Sequence, residues 1–283
     1  MLITFAALLL RTKTACMKNL ITVGRCFYGI GVVGIAVLQF IYADLRPVIF
    51  PPGWPTALHS SVLAYTVGVA LIIAGISVIF GKSIKTIGFA LAAFFFILFV
   101  AFQFPYIMFI QPNSPRHLGL WTDPLKELAF CGGALIIATS ALDNKAELWL
   151  IVGRVFFGFM LIAFGIDHFY YTKFVATLVP SWIPAPVFCT YVGAICLIGS
   201  GVCLILKIFI RQIALLLGTM LLIWFAILHF PRAVADPYIM QGNEITSVFE
   251  ALAYSGVAFV IAGVYRRRDT NKKPHSDERG SLV

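Results

Sequence analysis

The sequence predicts an all-α membrane protein, with eight transmembrane helices arranged as two parallel-repeated four-helix bundles. Three observations predict it. Of the 283 residues, 60% belong to the set AVILMFWYC and only 12% are charged, about half the share of a soluble domain. The apolar residues lie in continuous runs of helix-spanning length, about 20 residues, without the alternation of outer-membrane strands. The second half of the chain also repeats short motifs of the first.

Charge and Pro/Gly clusters punctuate the runs into spans near 19–42, 58–80, 86–110, 124–142, 148–170, 186–206, 212–230 and 245–264. Residues 1–18 read as an N-terminal extension. Met1–Leu10 is too short to span and lacks a basic n-region, so it fails as a secretory signal, and an upstream start or an interfacial segment is expected. The basic residues set the orientation. Sixteen of the 21, including Lys18, Arg25, Lys82, Lys85, Lys145, Arg154, Lys207, Arg211 and Arg266–Arg268, fall on one side, which places both termini in the cytoplasm. Residues 266–283 are expected to form a disordered basic tail. The net charge of +9 then reads as a topology signal with membrane lipid as its partner, and no nucleic acid is needed.

The repeat is read from matched motifs. Gly24-Arg25-Cys26-Phe27-Tyr28-Gly29 recurs as Gly153-Arg154-Val155-Phe156-Phe157-Gly158, and Gln39-Phe40-Ile41-Tyr42 faces His168-Phe169-Tyr170-Tyr171 at the same offset of 129. Gln103-Phe104-Pro105 aligns with His229-Phe230-Pro231, and Leu128–Gly132 with Leu252–Gly256 at offset 124. The two units are 19–143 and 144–265. Each holds an even number of spans, so the copies are parallel, and an antiparallel bundle within each unit is the expected packing. The glycines of the first helices permit close helix approach.

A helix that opens Gly153-Arg154-Val155-Phe156-Phe157-Gly158 and closes Gly165-Ile166-Asp167-His168-Phe169 resembles the DoxX-like membrane family, as does the late Leu-Ala-x-x-Gly helix. The resemblance covers both units, although the tandem copy departs from the family's single four-helix form. It implies a bacterial cytoplasmic-membrane protein. Some relatives are linked to quinone-dependent thiosulfate oxidation or thiol redox maturation, which makes a membrane component of a quinone-linked redox system the leading expectation. A non-catalytic scaffold or partner-binding subunit is the first alternative, and a small-solute transporter the second.

Ionisable groups inside a membrane need a reason. Arg25 and Arg154 are expected to snorkel to headgroups, with a structural pairing to a carbonyl or lipid phosphate as the alternative. Asp167 and His168 close the fifth span, His229 closes the seventh, and Glu250 lies in the first two turns of the eighth, all at one depth on the outer side. These four are the candidate catalytic residues. A histidine beside a carboxylate suits general acid/base work, and a quinone headgroup, which takes up and releases protons at its oxygens, is the candidate cofactor. The first copy has Gln39 and Gln103 in place of His168 and His229. Glutamine hydrogen-bonds but carries no proton, which assigns any chemistry to the second copy. Against this stands a purely structural use of both pairs, bonding loop backbone.

One histidine pair near the water is a weak basis for haem, and no zinc-ligand spacing occurs. Cys26, Cys131, Cys189, Cys196 and Cys203 fall within spans and form no C-x-x-C pair. The heptad stripe Cys189, Cys196 and Cys203 is expected to be small apolar packing. The outer loops Phe50–Pro55 and Val179–Pro184 are expected to cap the bundle, with docking of a periplasmic or membrane partner as the alternative.

Overall fold

The computed structural model describes residues 2–54, 60–111, 117–142, 146–238 and 242–271, with side chains between residues 19 and 265. Among them every regular element is helical. The long helices are α1 (Leu2–Tyr42), α2 (Ser61–Phe80), α3 (Ile84–Leu98), α4 (Thr122–Ser140), α5 (Glu147–Tyr170), α7 (Pro186–Leu206), α8 (Ile210–Trp224) and α10 (Asn243–Asn271). Short α6 (Thr172–Leu178) follows α5, and short α9 (Phe230–Ala235) extends α8. The extension expected at residues 1–18 continues α1 from Leu2, and α10 runs through Asn271. The rest of the expected disordered tail, 272–283, lies outside the described residues.

Among the described residues, seven segments are long and apolar enough to cross a membrane: Asn19–Tyr42, Ser61–Phe80, Ile84–Ile110, Glu147–Tyr170, Pro186–Leu206, Ile210–Ala235 and Asn243–Tyr265. The chain therefore has the architecture of a multi-pass membrane protein. Helix α4 is the remaining long helix. Its first two turns carry Asp123, Lys126 and Glu127, and nearly its whole length is buried. Helix α10 shares that position: 83% of its most apolar stretch is buried inside the protein, against 22–44% for the other six segments. Polar groups on these two helices are therefore shielded from lipid by the rest of the fold.

Around α4 and α10 the other helices pack in two groups. Helix α1 lies along α2 and α10, and α8 along α10; α5 lies along α7 and α4, and α3 along α4. The main neighbours thus cross the middle of the chain. Helix α1 touches α4 only lightly, so an antiparallel bundle closed within the first four long helices is not what forms. Glycines decide this. A methyl group on Gly24 or Gly256 would collide with the other's carbonyl oxygen, and one on Gly132 or Gly153 would sit 2.6 or 2.7 Å from the other's carbonyl oxygen. Backbones this close gain the dispersion contacts that hold helices together where no hydrophobic driving force separates helix from lipid. Between the groups, Phe130 packs on Tyr28 (5.8 Å) and on Tyr254 (5.2 Å), which reaches Phe157 (6.1 Å).

Three expectations about individual residues are revised. Arg154 does not reach for headgroups: it is buried, its Nη1 donates to Leu204 O at 2.8 Å, and its guanidinium lies over Tyr265. It satisfies a carbonyl at the end of α7, where the last turn has no intrahelical donor. Arg25, at the matching place, donates weakly to Thr22 Oγ1 at 3.5 Å. The cysteine stripe faces outward, with Cys196 exposed, because α7 turns Gly193, Ala194, Leu197 and Gly201 inward. The loop expected at Phe50–Pro55 does cap the helices over its described residues: Phe50 and Pro51 are buried, and Trp54 packs edge-on to Phe102 at 5.3 Å. In the second loop Trp182 is largely exposed.

Candidate functional site

The buried charges gather where α4 and α10 begin. A 3-10 turn, Leu118–Trp121, leads into α4, and Thr122 Oγ1 donates to Gly119 O at 2.6 Å. Asp123 sits in the first turn of α4, where a negative charge meets the positive end of the helix dipole. Lys126 follows one turn on, a poor place for a cation by the same argument, and two carboxylates compensate it. Lys126 Nζ is 3.3 Å from Asp123 Oδ1 and 3.0 Å from Glu250 Oε2. The Lys126 and Glu250 side chains are 8% and 5% exposed, that of Asp123 33%. The pair is thus withdrawn from solvent while Asp123 keeps contact with the outside.

On α10, Thr246, Glu250 and Tyr254 recur every four residues and form one stripe. Tyr254 donates to Lys126 O at 3.1 Å, so hydroxyl and carboxylate from one helix grip the same lysine residue of the other. Thr246 accepts from Arg46 Nε at 3.1 Å. Arg46 comes from the loop after α1 and lies over the Tyr42 ring at 4.5 Å. Burial lowers its proton affinity below the ordinary arginine value, while the nearby Tyr42, Glu250, Asp44 and Asp123 act to restore it. Arg232 on α9 makes a two-point contact with Glu244, at 2.7 and 3.2 Å.

His229 enters from α8 through a change of helix type. Phe225–His229 is a π-helical turn, and Gln103 closes the matching π turn Phe99–Gln103 after α3. Proline follows two residues later in each case, at Pro231 and Pro105. His229 is in electrostatic reach of Glu244, Lys126 and Arg232, and its buried Nδ1 has no hydrogen-bond partner. Glu250 Oε1 is likewise buried and unpartnered.

Of the four sequence candidates, Glu250 pairs with Lys126 and His229 lies within electrostatic reach of the same lysine. The other two are held by different contacts. His168 Nδ1 is 2.7 Å from Phe164 O, and its ring stacks on Trp224 at 6.2 Å and 16°. A carbonyl only accepts, so this bond places a proton on Nδ1 and, in the neutral ring, leaves Nε2 as the acceptor. Asp167 interacts with His117, which stacks on Tyr171 at 5.9 Å. In the first copy, Gln103 Nε2 donates to Pro47 O at 2.9 Å, and Gln39 is fully buried with neither side-chain end bonded.

Sequence reasoning passed over Lys126, Asp123, Arg46 and Thr246 as members of the site. A signal for the first was present: at offset 124 Lys126 falls opposite Glu250. The ion pair joins matching positions of the two halves, one basic and one acidic. Among the described residues no group of three His, Cys, Asp or Glu side chains is gathered as a metal site. Scans against protein-family models, curated proteins and solved structures return no match for this chain.

Proposed function

We propose that the chain is a tandemly duplicated DoxX-like protein of the bacterial inner membrane and a membrane component of a quinone-linked redox system. In this reading α4 is the eighth span, the units are 19–143 and 144–265, and both termini are cytoplasmic. The reciprocal contacts Gly24–Gly256 and Gly132–Gly153 support the duplication, since each partner in one contact matches a partner in the other. The π turns ending at Gln103 and His229 support it as well. The α1–α10 and α5–α4 contacts then exchange helices between units.

One observation carries the functional reading: a buried histidine with an unpartnered ring nitrogen lies within electrostatic reach of the lysine of a buried Lys126–Glu250 pair. A quinone accepting two electrons takes two protons on its oxygens, and His229 and Glu250 are the groups placed to supply or accept them. Lys126, paired with Glu250, is itself a donor for a quinone oxygen. His168, stacked on Trp224, serves as a second polar contact.

The test is titration of a short-chain ubiquinone analogue into the detergent-solubilised protein, read by quenching of tryptophan fluorescence. Saturable quenching is expected, weakened at least tenfold in His229→Gln. Linear, non-saturating quenching identical in both proteins contradicts the reading.

The scaffold alternative keeps one specific support. The Lys126–Glu250 pair ties the two halves together, which a purely structural protein would also require. It predicts that the double variant His168→Gln/His229→Gln retains full function. A solute path between the halves has no comparable support, because Tyr28, Phe130, Phe157 and Tyr254 fill that space.

A further inference from the structure

Beside the Lys126–Glu250 pair lies a carboxyl that the pair does not use. Glu127 is 0% exposed, and neither of its carboxyl oxygens has a hydrogen-bond partner. It is not required by the packing: at offset 124 the matching residue is Ala251, also buried. The fold thus accepts a methyl group at this place in one half and carries a carboxyl in the other. The chain has no bonding energy to offset the loss of hydration at Glu127, whereas Glu250 recovers part of its own from Lys126.

One carboxylate on the same helix face as Glu127 reaches the surface. Asp123 precedes it by four residues on α4, hence on the same helix face, and the Asp123 side chain is 33% exposed. Groups in electrostatic reach of Glu127 are Asp123 and Cys131 on its own helix and Tyr254 on α10. None of them is a cation. Lys126 points its ammonium to Asp123 and Glu250 instead.

We propose that Glu127 is a proton-binding site: it holds one proton on its carboxyl inside the protein and exchanges it with the outside through Asp123. Loading converts the carboxylate to the carboxylic acid, and release returns the same proton to Asp123 and from there to water, so no other reactant is involved. The site stands next to the charge cluster as a store for one of the protons that quinone chemistry would consume or deliver. That purpose rests on the proposed function, but proton binding itself does not.

The experiment is infrared spectroscopy of the full chain in lipid bilayers at neutral pH, with no quinone added. The expected spectrum contains the carbonyl stretch of a protonated carboxyl, which disappears in Glu127→Gln and persists in Glu250→Gln. On transfer to D2O the band shifts, and in Asp123→Asn this shift is at least threefold slower. Glutamate labelled with 13C at the carboxyl gives a control on the unmutated protein, where solid-state NMR should resolve one protonated glutamate from the ionised ones. A spectrum with only ionised carboxylates, or a protonated band that survives in Glu127→Gln, overturns the proposal. If the band is present while the quinone titration is linear, the proton site stands and the quinone reading falls. If quinone binds with no such band, the reverse holds.

Discussion

Lys126 and Glu250 sit at a depth where either charge alone would be costly. Losing one partner of a buried ion pair typically costs about 3–5 kcal/mol, because the other charge is stranded. Lys126→Glu places three carboxylates together and is expected to lower the thermal stability of the detergent-solubilised protein by about that much. Because the two positions match across the repeat, the exchange Lys126→Glu/Glu250→Lys should recover most of the loss. Recovery of none of it would mean that the two sites are not interchangeable. His229 has a different test. General acid/base groups contribute about 10²–10⁴-fold to rate, so in a quinone-dependent turnover assay His229→Gln is expected to lose that much. His168→Gln should lose less, since its Nδ1 is committed to Phe164 O. At this scale the sequence was partly legible. Glu250 and His229 stood out as ionisable groups inside apolar runs. Lys126 did not, because its helix carries three charges in its first two turns, and only folding shows that Lys126 and Glu127 are buried there.

Helices α3 and α8 end alike. Proline removes a backbone donor and crowds the carbonyl four residues earlier, which is Ala101 for Pro105 and Ile227 for Pro231; both fall inside the π turns. The wider turn takes up the clash and sets the direction in which Gln103 and His229 leave the helix. Pro231→Ala is expected to let α8 continue as a regular helix, leaving its melting temperature unchanged or higher while weakening quinone binding. Equal binding would show that the π turn does not position His229. Elsewhere the close helix contacts are the controlling feature. Gly256→Leu has no space beside Gly24 and should destabilise the protein by about 1–3 kcal/mol, measured as a shift in thermal melting. The prolines and glycines were visible in the sequence as repeated punctuation. Their effects were not, because a run of apolar residues gives no sign of where a helix widens or which neighbour a glycine meets.

For the molecule as a whole, seven of the eight expected spans coincide with helices long and apolar enough to cross a membrane, since membrane thickness fixes helix length; the segment 124–142 is helical but is not among them. Which helices become neighbours did not follow. The seven candidate spans are similarly apolar, so hydropathy does not distinguish a bundle of sequential helices from one in which α1 pairs with α10. The small residues that decide between them act through shape. Exposure to lipid is equally a property of the assembled protein: Cys196 faces outward whereas Cys131 is 2% exposed. In bilayers, a lipid-soluble maleimide is expected to label Cys196 and spare Cys131, read by peptide mass spectrometry. The reverse pattern would refute the packing of α7 and α4. The central claim concerns the His229 end of α8 and the start of α10, and photolabelling tests it most directly. An azidoquinone is illuminated with the full chain in lipid bilayers and the adducts are mapped by mass spectrometry. The account predicts adducts within residues 224–250, competed by excess unmodified quinone and lost in His229→Gln. Adducts spread evenly over the lipid-facing helices, with no competition, would contradict it.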